Sequence, residues 1–318
     1  MEFRKVIPIS KSSFFIHHRD EIILMGSCFT ENIGEKLRYY GFNITKNPFG
    51  IIYNPVSIFQ NLDSIIQRKK YTTSDLMKRN DLYISLDHHG SYSDTDQERL
   101  LHTINSEVEH AYNRFTSSNY IMFTLGTSFI YRHTASGNIA ANCHKLPNTQ
   151  FEKKLLTTDE IKSAFRHIKP HLAGKTIIFT VSPVRHWRDG AVQNQRSKSI
   201  LIESIHQIIE ENDNCFYFPA YEIMMDELRD YRFYDEDMLH PNQTAVNYIW
   251  ERFCQTYFDA PTQEIIEKIH KLRLMVQHRI KHSNTAEQAA FEQQKDLQIA
   301  AFQIDFPAIR IDFTPSGE

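Results

Sequence analysis

The sequence predicts an α/β fold with a mostly parallel central sheet, and three observations carry that expectation. Apolar runs of strand length recur along the chain, at EIILMGSC (21–28), YIMFTLG (120–126) and TIIFTVSP (176–183). Segments with apolar residues at helical spacing separate them. The runs are continuously apolar rather than alternating, as strands buried on both faces are. Strands alternating with helices imply helices on both faces of such a sheet.

Taken in order, residues 21–28 form a strand that meets a Gly-Ser pair and opens into TENIGEKLRYYG. There Ile33, Leu37 and Tyr40 lie at helical spacing and Gly41 stands where a C-cap glycine belongs. A strand, FNITKNPF (42–49), completes a β–α–β opening. Residues 55–80 read as helix on the stripe Ile58, Leu62, Ile65 and Ile66, and the polar 85–98 stretch as a solvated loop. Residues 99–117 form a helix, 120–126 a buried strand, and a strand-and-loop excursion runs to about 150. Helix 158–171 leads to strand 176–183, helix 194–211 to strand 215–220, and DEDMLHPN introduces a helix over 242–258.

These elements make residues 1–260 one α/β domain, and residues 261–318 a C-terminal helical extension and tail. In the extension Ile265, Ile266, Ile269, Leu272 and Val276 form a stripe. It serves either as a packing appendage or as an arm through which a homodimer forms.

Composition excludes several classes of partner. Thirty-six basic residues face 39 acidic ones, a net charge of −3, and the basic residues are scattered, so no field favours nucleic acid or an anionic membrane. No stretch approaches the roughly 20 apolar residues that span a bilayer. No apolar run of signal-peptide length follows the first basic residues, and a cytoplasmic protein is expected. Cys28, Cys143, Cys215 and Cys254 lie far apart, without a CxxC pair, which argues against a disulfide framework or structural zinc.

Two features at strand ends carry chemistry, where open α/β sheets place their ligand sites. The first is Ser27, in the turn between the first strand and its helix. There its hydroxyl projects above the sheet, beside a helix N-terminus that favours developing negative charge. A helix cap explains a lone serine there equally well. The second is Asp237-Met-Leu-His240-Pro241, before the last helix of the α/β unit. Three residues on a turn bring a carboxylate to the ring Nδ1, which fixes the tautomer and stabilises an imidazolium. A serine at the first strand end and Asp-x-x-His before the last helix form a nucleophile with its base. Such a base loses activity as it protonates below about pH 6–7.

At these residues the chain resembles the SGNH/GDSL hydrolase superfamily, with its early nucleophile and late DxxH element. More narrowly, GSCF (26–29) with Thr30 is similar to the signature of the GSCFA family. So are NPFGIIYNP (47–55), FTLGTSFIY (123–131), NCHKLP (142–147), VSPVRHWRDG (181–190) and DMLHPN (237–242). The resemblance covers roughly residues 15–255. It implies a flavodoxin-like three-layer α/β/α sandwich and an esterase-type or acyl-transfer activity. It also implies an oxyanion hole made from the N–H of Ser27, a glycine N–H, for which Gly50 matches better than Gly41, and an asparagine amide. This chain departs at the third, where GxN is replaced by Gly126-Thr127-Ser128. A group of that turn, or Asn142 from the following excursion, takes the place of the amide.

His144 and His186 follow predicted strands and either contact substrate or serve as hydrogen-bonded structural residues. Arg185 either holds an anionic or sugar group or is simply exposed, and His88 and His89 belong to the polar loop or to a lid. Cys28 beside Ser27 offers a thiol as alternative nucleophile, with His144 or His240 as base. A metal site from Cys143, His144, His186 and His240 lacks regular zinc spacing, and a triad needs none, so no cofactor is expected.

The expected activity is hydrolysis of a short-chain ester, acetyl for example, on a small molecule or carbohydrate through an acyl-enzyme at Ser27. The alternatives are an O-acyltransferase using the same serine and a non-catalytic carbohydrate-binding protein on this scaffold.

Overall fold

The computed structural model describes residues 4–278 and 286–313. It has mixed α/β architecture around a five-stranded sheet of order β11 (Cys215–Tyr217), β10 (Thr176–Val181), β6 (Tyr120–Leu125), β1 (Glu21–Gly26) and β2 (Asn43–Lys46), with helices towards the end of the described chain. The chain runs β1 (Glu21–Gly26), α1 (Cys28–Tyr39), β2 (Asn43–Lys46) and α2 (Pro55–Ile66). A small antiparallel sheet follows, from β3 (Met77–Arg79), β4 (Leu82–Ile84) and β5 (Ser93–Asp94). Then come α3 (Gln97–Ser117) and β6 (Tyr120–Leu125). A second antiparallel excursion holds β7 (Phe129–His133), β8 (Ile139–Ala140) and β9 (Phe151–Leu155). The series continues with α4 (Thr158–Ile168), β10 (Thr176–Val181), α5 (Gly190–Glu210), β11 (Cys215–Tyr217) and a short α6 (Ala220–Glu222). It ends with α7 (Gln243–Tyr257), α8 (Ala260–Gln277) and α9 (Ala286–Asp305).

Pairing is parallel at β1–β6, β6–β10 and β10–β11, as the continuous apolar runs require. Alternate residues Ile23, Met25, Ile121, Phe123, Ile177 and Phe179 join one core with Phe59 and Leu62 of α2, Ile104 of α3, Phe165 of α4 and Leu201 of α5. Phe59, Phe123, Phe165 and Phe179 interlock there at centroid distances of 5.3–5.6 Å. The intervening residues Ile22, Leu24 and Ile178 are also buried, so both faces of the central strands are covered.

Chain contacts divide into two compact units. One holds the residues up to Pro8, Glu21–Gly34 and Ile44–Ile249, and contains the whole core just described. The other takes Ile9–Asp20, Glu35–Asn43 and the chain from Trp250 on. In it His18 Nε2 bonds Tyr40 O at 2.9 Å, His18 stacks on Phe42, and Phe42 stacks on Phe258.

Two expectations are corrected. The helix from 55 does not reach 80: it stops at Ile66, where Arg68 turns left-handed with φ 50°. The Lys69 and Arg68 N–H groups bond back to Ser64 O and Ile65 O, and residues 77–79 become strand. The polar 85–98 stretch is not simply solvated. His88 is buried and stacked on Phe49 at 4.4 Å, and the Tyr92 hydroxyl donates to Pro48 O at 2.6 Å. No helix among the described residues is long and apolar enough to cross a membrane.

Candidate functional site

The site is set by the turn that leaves β1. Gly26 has φ 149°, and a Cβ there would stand 2.2 Å from Thr124 O on the neighbouring strand, so only glycine lets the chains approach. Its N–H donates to Asn47 Oδ1 at 2.8 Å, and Asn47 Nδ2 donates to Glu31 Oε1 at 2.5 Å. The Ser27 N–H donates to Thr124 O at 3.1 Å. Ser27 is fully buried at 0% exposure, and its Oγ has no hydrogen-bond partner.

Asp237 and His240 meet as their spacing requires. The His240 Nδ1–H donates to Asp237 Oδ2 at 2.5 Å, while Asp237 Oδ1 accepts the N–H groups of Leu239 and His240 at 2.9 Å each. These bonds hold the Asp237 carboxyl down to about 2, the His240 N–H counting most. Met238, between them, takes φ 58°. Asn242 caps α7 by accepting the Ala245 N–H at 3.1 Å, which leaves Asp237 to the histidine. Both partners are solvent-accessible, at 46% for His240 and 45% for Asp237. Ser27 and His240 are not hydrogen-bonded to each other.

Cys28, next along, is partly exposed. Burial pushes its thiol up, and the Lys198 charge and the N–H groups of Cys28 and Phe29 pull it down, while Asp237 opposes.

Most N–H groups expected to line an oxyanion hole are engaged elsewhere. The Gly50 N–H donates to Asn47 O at 2.7 Å, and those of Gly126 and Thr127 donate to Tyr53 O at 2.7 and 3.1 Å. The Ser128 N–H donates to Ser197 Oγ at 2.8 Å, and Thr127 Oγ1 lies 3.0 Å from that same oxygen. Asn142 Oδ1 accepts the His144 N–H at 2.7 Å. His144 is buried, and its Nε2–H is shared between Ser85 O and His88 O at 2.7 and 3.0 Å, so it pins the 85–88 loop. Arg185 lies over the Trp187 ring at 4.4 Å, and its N–H reaches Leu239 O at 3.3 Å, joining the 183–189 segment to the Asp237–His240 turn.

His186 packs edge-to-face on Tyr53 at 5.2 Å. Its Nε2 lies 3.1 Å from where a Cβ of Gly126 would be, and is buried without a partner. Burial brings its pKa down to about 3, with Lys198 and His240 lowering it further. Among the described residues no group of three or more His, Cys, Asp or Glu side chains is arranged to hold a metal, so Cys143, His144, His186 and His240 do not converge.

Sequence reasoning missed Lys198 of α5, which is wholly buried. Its Nζ donates to Gly126 O at 2.8 Å and Ser182 O at 2.7 Å, tying together the ends of β6 and β10. Burial brings its pKa down to about 7. The available signal was register: Asn194, Lys198, Leu201, Ile205 and Ile208 share one helical stripe, and all are buried. Asn47 and Tyr53, which brace the two turns, carried no signal beyond their place in NPFGIIYNP.

The chain belongs to the GSCFA family, whose model matches residues 21–253. No curated protein matches it. Among solved structures it is similar to one described as "The structure of a putative platelet activating factor from Streptococcus pneumonia". Identity is 10%, 74% of this chain and 83% of that chain are covered, and the TM-score is 0.37, too distant a likeness to bear on function.

Proposed function

We propose that the protein is an ester hydrolase on a flavodoxin-like three-layer sandwich of the SGNH/GDSL type, acting on a short-chain ester of a small molecule or carbohydrate. The observation that carries this reading is the Asp237–His240 pair, 2.5 Å apart and held by two backbone N–H groups beside the carboxyl ends of the parallel strands. His240 takes the proton of the nucleophile as that group adds to the ester carbonyl. The tetrahedral adduct then collapses, the ester C–O bond breaks, and His240 returns the proton to the leaving alcohol. Water, deprotonated by His240, cleaves the acyl-enzyme and restores the nucleophile.

Ser27 is the nucleophile that the sequence favours. One observation supports a second reading, with Cys28 as the attacking group. Ser27 Oγ is buried and unpartnered, whereas Cys28 is a partly exposed residue. A fluorophosphonate probe and hydrolysis of p-nitrophenyl acetate separate them. If Ser27 attacks, Ser27→Ala abolishes labelling and lowers turnover by about 10³-fold or more, and Cys28→Ala keeps both. The opposite pattern, with iodoacetamide blocking turnover, assigns the reaction to Cys28. An inert wild-type protein, correctly folded, removes the hydrolase reading altogether and leaves a binding protein.

A further inference from the structure

We propose that His186 is a catalytic residue, its Nε2–H donating a hydrogen bond to the oxyanion in place of the amide that the Gly126-Thr127-Ser128 turn lacks. This rests on the hydrolase reading, and holds whether oxygen or sulfur attacks. Nε2 is a buried polar atom with no partner, and leaving one so is destabilising. That cost is tolerated where a ligand atom supplies the partner during function.

The location fits. Gly126 follows β6, and Nε2 would lie 3.1 Å from a Cβ at that residue, so glycine is what leaves room in front of the ring. One strand away, Ser27 N–H bonds Thr124 O, which places the nucleophile turn against the same strand end. The ring packs edge-to-face on Tyr53, and the residue is fixed by its backbone N–H, which donates to Asn194 Oδ1 at 2.9 Å.

The chemistry fits as well. Burial keeps the imidazole neutral through the working range, so it donates from Nε2 without adding a fixed charge. The N–H groups of Gly50, Gly126, Thr127 and Ser128 already have acceptors, whereas His186 Nε2, beside Gly126, has none. When the nucleophile adds, the carbonyl π electrons move to oxygen, and the Nε2–H bond to it shortens. The proton stays on nitrogen, and the bond relaxes when the carbonyl re-forms and the alcohol leaves. A single donor of this kind is worth about 10²–10³ in rate.

The test compares His186→Gln, which keeps a donor at similar reach, with His186→Met, which keeps the bulk without one. Both are assayed with p-nitrophenyl acetate, with thermal unfolding as the control for folding. His186→Met is expected to lose about 10²–10³ in kcat with KM changed less than about threefold, and His186→Gln to recover at least about tenfold of that loss. The pH profile of either variant keeps the wild-type limb, because His240 remains the base. A folded His186→Met within about threefold of wild type, or a Gln variant no faster than the Met variant, overturns the proposal and leaves the hydrolase reading standing. A wild-type protein inert to both p-nitrophenyl acetate and the fluorophosphonate overturns the two together.

Discussion

At the scale of single residues, Lys198 shows how the site's support differs from its chemistry. A cation removed wholly from water is unstable there unless donors and charge find partners, and here two carbonyls at strand ends serve. Its folded pKa of about 7 lies below its ordinary 10.5, so between those values the unfolded chain binds more protons than the folded one. The penalty is fully present below pH 7 and is relieved as pH rises towards 10. Wild-type stability, measured by urea unfolding, should therefore gain about 2–4 kcal/mol between pH 7 and 10 relative to Lys198→Met. The difference in slope is the readout, since the variant also orphans Gly126 O and Ser182 O at every pH. Parallel pH curves for the two proteins would refute the assignment. A lysine gives no sign of burial by its type. Only its register with Leu201 and Ile205 places it inside.

At the scale of elements, the β1–α1 turn is clamped from both neighbouring strands. Thr124 O takes the Ser27 N–H on one side, while Asn47 Oδ1 takes the Gly26 N–H and Gly26 O takes the Ile52 N–H on the other. Gly26→Ala puts a methyl group into Thr124 O at a φ that L-residues rarely adopt, and is expected to cost about 2–4 kcal/mol in urea unfolding. Gly137→Ala is the control, because φ is 72° there but nothing lies within 4 Å, and about 1 kcal/mol is expected. Equal costs at the two positions would mean that the close strand approach does not constrain the turn. This junction was legible in the sequence because an apolar run, a glycine and a helical stripe follow one another without interruption. The end of α2 was not, because its left-handed residue is Arg68 rather than glycine, and leaves no stop signal. The 85–98 loop was misjudged for a related reason. Ser85 and His88 are hydrogen-bonded in the interior and Asp87 accepts the Tyr71 hydroxyl, and composition does not record which way a polar group points. The Asp237–His240 pair was readable because three residues on a turn suffice to form it. The engagement of the oxyanion turn was not, because Tyr53 and Ser197 reach it from 69 or more residues away in one direction or the other along the chain.

At the scale of the α/β unit, buried strands support irregular segments that are on the whole more exposed than they are. β6 is buried along its length and paired on both sides, by β1 and β10. The 183–189 and 235–240 segments carry exposed Trp187 and Met238, and the bond recorded between their backbones is the 3.3 Å contact of Arg185 with Leu239. Ser27, with no exposure, meets an ester only when its cover moves, so its reaction includes the free energy of that opening. Hydrogen exchange is expected to show amides of 183–189 and 235–240 exchanging at least about 10³-fold faster than those of β6, an opening cheaper by roughly 4 kcal/mol. If these segments prove as protected as β6, an opening at this end of the unit is ruled out as the route to Ser27. Cys28, the partly exposed neighbouring residue, then becomes the stronger candidate for the attacking group.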